Sequence, residues 1–112
     1  MSTTETGRKA EAAVATFLQK AGHKILEQNW RTRWCEIDIV SQKDGAVYFT
    51  EVKYRVSSRQ GDGLDYITPK KQQQMAFAAE FWVARRNWQG EYTLAVAAVT
   101  GEYYNVTDFM EL

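Results

Sequence analysis

Between residues 5 and 21 the apolar positions recur with the period of a helix. Ala10, Ala13, Val14, Phe17, Leu18 and Ala21 fall at i, i+3, i+4, i+7, i+8 and i+11. This stripe predicts a helix over residues 5–21 with Gly22 as its C-terminal cap. Glu11 lies at the edge of the stripe, directly after Ala10 and one turn before Ala15. The pattern then turns to alternation. Residues 23–31 predict a first strand and residues 34–41 a second. The second has Cys35, Ile37 and Ile39 on one face and Glu36, Asp38 and Val40 on the other. A Lys43-Asp44-Gly45 turn leads to a third strand over residues 47–55, "VYFTEVKYR", and so short a connection makes the pair an antiparallel hairpin. A Gly- and Ser-containing loop follows. Thr68 then reads as an N-cap with Pro69 at N1, opening a helix to residue 86 with Met75, Ala78, Ala79, Trp82 and Val83 on its apolar stripe. Residues 92–100 are almost wholly apolar and predict a central strand. A Gly101-Glu102 turn and a short strand over residues 103–108 complete the order α-β-β-β-α-β-β, an α/β mixed sheet flanked by helices.

At 112 residues the chain matches one ordinary domain, with residues 1–6 expected as a flexible N-terminus. No run of about 18 apolar residues suggests a transmembrane helix, and the polar opening is unlike a secretory signal. Cys35 is the only cysteine, which excludes an internal disulfide and a cysteine-based zinc cluster and fits a reducing, cytoplasmic compartment. Fourteen basic and fourteen acidic residues cancel. This balance counts mildly against nucleic-acid binding, which usually brings a positive excess, although one basic face would suffice.

The candidate chemistry lies on the second and third strands. Val47 and Phe49 begin a buried face that Glu51 and Lys53 then finish with charge. From spacing alone Glu51 and Lys53 read more readily as a solvent-facing pair on a sheet edge, where such pairs are common and weak. Asp38 on the neighbouring strand, the apolar residues flanking both motifs and Glu11 on the helix shift the balance. If the hairpin register brings these carboxylates together, they suit a hard cation such as Mg²⁺, which takes one or two carboxylates and keeps waters that phosphates can replace. A lysine beside them can stabilise developing negative charge.

Five stretches occur in order: Gly7-Arg8-Lys9-Ala10-Glu11, Asn29-Trp30-Arg31, Glu36-Ile37-Asp38-Ile39-Val40, Phe49-Thr50-Glu51-Val52-Lys53-Tyr54-Arg55 and Thr68-Pro69-Lys70-Lys71-Gln72. With this set, spanning about residues 7–108, the chain resembles the YraN-like family of the PD-(D/E)xK nuclease superfamily, whose members are similar to Holliday-junction resolvases. The resemblance implies a restriction-endonuclease-like fold and metal-dependent hydrolysis of DNA phosphodiester bonds, including branched DNA. It implies Asp38, Glu51 and Glu11 as ligands of Mg²⁺, or of Mn²⁺ in its place, with Lys53 as the catalytic lysine. It also suggests Gln72 as a polar residue near the site. Cys35 stands where the family usually has Gly, and residues 93–97 lack an acidic residue common there.

Arg31, Arg33, Arg55, Arg59, Lys70 and Lys71 surround the motifs in sequence and are candidate phosphate contacts, or else scattered solvated charges. The loop 57–63 is a candidate for closing on a substrate. Phe77, Phe81 and Trp88 form a second apolar line on the second helix, which predicts a homodimer. His23 is expected to be an exposed residue without a catalytic role, and Cys35 a core residue. The alternative to a nuclease is a non-catalytic nucleic-acid-binding module or scaffold. The first five elements also fit a double-stranded RNA-binding domain, which would leave two strands over.

Overall fold

Two tight devices place the strands. Asp44 (φ 51°) and Gly45 (φ 82°) are both left-handed, the two-residue geometry whose twist matches a β-hairpin and which Asp-Gly adopts at low cost. Thr68 accepts a hydrogen bond from Lys71 N–H at 3.1 Å, and Pro69 follows at the first helical position, so the second helix starts where its caps dictate. The computed structural model describes residues 3–56 and 67–112. Its elements are α1 (Thr3–Lys20), β1 (Lys24–Arg31), β2 (Glu36–Lys43), β3 (Ala46–Arg55), α2 (Pro69–Arg86), β4 (Glu91–Thr100) and β5 (Asn105–Glu111). They form one five-stranded sheet in the order β1-β2-β3-β4-β5. The β3–β4 pair is parallel, joined through α2, and the other pairs are antiparallel. The expected element order is therefore the observed one, and it is that of a restriction-endonuclease-like α/β fold. Because β4 lies directly beside β3, the last two strands belong to the same sheet, unlike a double-stranded RNA-binding domain.

Each helix covers one face. Val14, Ala15 and Leu18 of α1 pack with Ile39, Ala97 and Val99, whereas Ala78, Ala79 and Trp82 of α2 pack with Ile37, Val40, Val47 and Phe49. The α1 stripe is rotated from the expected one. Ala15 is buried while Phe17 and Ala21 are exposed, which puts Glu11, one turn before Ala15, on the covered side of the helix. The helix begins at Thr3 rather than at residue 5. The last strand starts at Asn105 rather than at residue 103, because Tyr104 takes a left-handed φ of 53° and ends a four-residue turn.

His23 corrects a second expectation. It is only 8% exposed, lies 2.9 Å from Ser41 Oγ, and meets the Tyr48 ring edge-on at 4.7 Å. Ser41 and Tyr48 are cross-strand partners, so the hairpin rises beneath the end of α1 and closes over the imidazole. Burial, then the nearby Lys43 charge, holds its pKa below the ordinary 6.5. On the opposite face, Glu27 Oε2 accepts from both Trp82 Nε1 and Arg86 Nη2 at 2.6 Å. Replacing Glu27 with alanine strands an indole N–H that is largely shielded from water. The expected loss is about 1–3 kcal/mol in urea unfolding, and a loss within roughly 0.5 kcal/mol would show that the contact is dispensable.

Candidate functional site

The centre of the sheet contains an interruption. Pairing of β2 with β3 runs from Lys43↔Ala46 to Ile39↔Thr50 and goes no further, while β3 continues beside β4 to Arg55↔Thr100. Beyond Thr50, the next β3 amide facing β2 is that of Val52, and a shielded amide requires an acceptor. Asp38 supplies it: its Oδ2 accepts from Val52 N–H at 2.8 Å. The carboxylate thus stands in for a strand carbonyl. This turn of the backbone also breaks the expected alternation, because Ile37 packs under α2 and Ile39 under α1.

Such a position is costly for a charge. Burial first, and then the negative charge of Glu51, push the Asp38 carboxyl up to about 7 against the Val52 hydrogen bond, with smaller upward contributions from Glu11 and Glu36. Glu11 approaches from α1. Its pKa is raised by burial, lowered by the Arg31 charge, and raised again by Glu36 and Glu51, while a side-chain hydrogen bond with Asp38 lowers it.

Glu51 opens to the α2 side, following Val47 and Phe49 on that face. Its carboxylate is 16% exposed and lies 3.6 Å from Lys53 Nζ and 3.2 Å from Lys71 Nζ. It lines a cleft of about 490 Å³ with Trp34 and Glu36 from the β1–β2 end and Lys70, Lys71 and Phe77 from α2. The broken face of β3 therefore has a structural cause: Val47 and Phe49 lie under α2, and Glu51 and Lys53 emerge where the sheet divides.

The remaining candidates divide. Arg31 pairs with Glu36 at 3.5 Å at the cleft mouth, both side chains being well exposed. Arg33 is exposed, its guanidinium 5.3 Å from the Trp34 ring centroid. Arg55 lies at the far end of β3, partly buried, with its carbonyl accepting from Gly101 N–H at 3.0 Å. Gln72 is exposed on α2 but does not line the cleft, whereas Gln73 and Gln74 do. Arg59 and the loop 57–63 lie outside the described residues. Cys35 is half-buried at the α2-side core and also borders the cleft. Trp88 lies beyond α2, donating to the Glu91 carbonyl at 3.0 Å, so it does not extend the line of Phe77 and Phe81. Sequence reasoning missed Trp34, which it set at the start of the second strand although that strand begins at Glu36, and the Val52 amide, which carried no signal.

Among the described residues no three His, Cys, Asp or Glu side chains gather closely enough to hold a metal by themselves. Mg²⁺ needs fewer protein ligands, one or two carboxylates with waters and substrate phosphate. Asp38, burdened by the charge of Glu51, and Glu51 itself have the oxygen chemistry for that.

Fold and site together describe an α/β protein of the nuclease-like class, with acidic groups at a split in its sheet. Residues 10–100 match the family described as "Uncharacterised protein family UPF0102", and the chain belongs to that family, the YraN-like group of the PD-(D/E)xK superfamily. It is 43% identical over 82 residues to a UPF0102 protein of Chlorobium chlorochromatii, covering 73% of this chain and 64% of the relative. It is 36% identical over 98 residues to one of Cytophaga hutchinsonii, covering 88% and 87% respectively. A third, from Thermosynechococcus vestitus, is 43% identical over 86 residues, covering 74% of this chain and 69% of the relative. The matched region thus spans less than two thirds of the Chlorobium relative. Among the described residues, no helix is long and apolar enough to cross a membrane.

Proposed function

We propose that the protein is a divalent-cation-dependent nuclease that hydrolyses DNA phosphodiester bonds at the sheet split, branched DNA being a candidate substrate. The observation that carries this reading is Asp38, a carboxyl forced into the split beside Glu51, which itself lines a cleft that also presents Lys70 and Lys71. Placing acidic groups there is unfavourable for folding, and a ligand that needs them accounts for it. Asp38 and Glu51, with Glu11 nearby, would hold Mg²⁺ or Mn²⁺. When bound, the cation supplies positive charge that activates water and offsets charge on phosphoryl oxygens. Lys53 and Lys71 already balance Glu51, and each can turn its ammonium to an incoming phosphate, stabilising the charge that develops there. The Val52 amide fixes the orientation of Asp38.

The test is cleavage of labelled duplex, single-stranded and four-way-junction DNA with Mg²⁺ or Mn²⁺, beside an Asp38→Ala control. Cleavage by the wild type alone is expected. Equal cleavage by both proteins indicts a contaminant, and none by either favours a binding module or scaffold. That second reading draws on one observation: Glu51 is already engaged by two ammonium groups, an arrangement that leaves it satisfied without a cation.

A further inference from the structure

Beside the acidic split, the same cleft has an aromatic wall that phosphodiester chemistry does not require. Trp34 is 63% exposed and Phe77 50% exposed, and both line the cleft with Glu51 and Lys70. Exposing two large rings to water is unfavourable, and the molecule holds them in place. Trp34 sits in a four-residue turn closed by Thr32, whose Oγ1 accepts from Trp34 N–H at 3.0 Å and from Cys35 N–H at 3.1 Å. Thr32 N–H also donates to the Cys35 carbonyl at 2.9 Å. Phe81 backs both rings, its centroid 5.7 Å from that of Trp34 and 6.1 Å from that of Phe77. The wall is therefore stiff before any ligand arrives.

Its charge points to the ligand. Lys70 lies on the cleft with no carboxylate partner among the described residues, Lys71 is beside it, and Arg33 rides over the indole. Flat apolar faces bordered by Lys70 and Arg33 suit a nucleobase carrying its own phosphates. A duplex keeps its base faces stacked internally and offers none to a side chain, whereas an unpaired nucleotide does. The same patch of a second copy would bring to Lys70 and Arg33 only Glu36, already paired with Arg31, and Glu51, already paired with Lys53 and Lys71.

We propose that this cleft takes an unstacked base of a single-stranded or frayed segment, stacked on Trp34 and Phe77, with its flanking phosphates on Lys70 and Arg33. The proposal deepens the nuclease reading and shares with it a nucleic-acid ligand. It narrows the substrate class to DNA with an unpaired nucleotide next to the scissile bond.

The experiment measures binding without chemistry: fluorescence anisotropy of labelled oligothymidylate and of a blunt duplex, in EDTA at low salt. Tighter binding of the single strand is expected. Trp34→Ala and Phe77→Ala should each weaken single-strand binding roughly 5- to 50-fold, the scale of one lost base stack, while changing duplex binding less than about 2-fold. Trp34→Phe should retain most of the affinity, and Lys70→Ala should weaken both ligands alike. Three results would overturn the proposal: no binding in EDTA, equal losses on both ligands from Trp34→Ala or Phe77→Ala, or a dimer by light scattering that either of these two substitutions makes monomeric. A protein that cleaves no substrate yet shows Trp34-dependent single-strand binding would sink the nuclease reading and keep this one. Cleavage of duplex without single-strand preference would do the reverse.

Discussion

Replacing Asp38 with asparagine should stabilise the protein at pH 8 while abolishing any cleavage it performs. The amide is nearly isosteric, and its oxygen can keep the Val52 hydrogen bond seen at 2.8 Å. The charge, however, is gone. In the wild type the Asp38 carboxyl titrates at about 7 rather than near 3.8. The folded protein therefore binds more protons than the unfolded chain between these values, and stability falls as pH rises through that window. Above about 7 the full penalty applies, and below the unfolded value it vanishes. Each pKa unit is worth 1.36 kcal/mol, so the ceiling is about 4 kcal/mol, of which about 1–3 is the expected gain in urea unfolding at pH 8. At pH 4 wild type and variant should unfold alike. On the proposed reading the same substitution removes a cation ligand and lowers cleavage by at least about 10³-fold. A variant destabilised at pH 8 would show that Asp38 serves the fold, and unimpaired cleavage would end its catalytic assignment.

The second large effect concerns protons and cations competing for one carboxylate. Cation ligation requires Asp38 ionised, and at subsaturating Mg²⁺ the cleavage rate should fall about tenfold for each pH unit below about 7. Raising Mg²⁺ should move the midpoint to lower pH, since the cation displaces the proton. The same linkage predicts that Mg²⁺ raises the unfolding temperature of the wild type at pH 8 and has little effect on Asp38→Asn. Rate profiles at two Mg²⁺ concentrations decide the matter, and a rate flat between pH 5.5 and 8 would contradict it.

The element order was legible because both periodicities are clean and the caps are explicit, notably Thr68-Pro69 and Asp44-Gly45. The hairpin register was also latent in that turn. A two-residue connection fixes Lys43 opposite Ala46, and following the ladder outward brings Asp38 level with Glu51. What could not be read was the departure at Asp38. Cys35, Ile37 and Ile39 alternate in sequence, yet the strands part just where the pattern looks regular, because Val52 N–H lies fourteen residues away and only the folded sheet makes it need an acceptor. His23 failed for a related reason: a lone polar residue after a helix cap looks exposed until Ser41 and Tyr48 pair beneath it. Phe17 and Ala15 exchanged places because both fit a helical stripe, and only the sheet's direction chooses between them. The cleft was half legible. Its lysines announced themselves near Pro69, but Trp34 gains meaning only from Phe77 and Phe81, which are distant in sequence.

The stopped ladder also separates inheritance from adaptation. Past Ile39 the β1–β2 ribbon is no longer hydrogen-bonded to β3 along its backbone, so residues 32–35 form a tip joined to β3 through side chains. Lengthening or recomposing that tip need not disturb the Asp38–Val52 bond. On the proposed reading, a lineage exchanges one gripped nucleic-acid shape for another by rewriting a few residues there, leaving the acidic groups and their lysines in place.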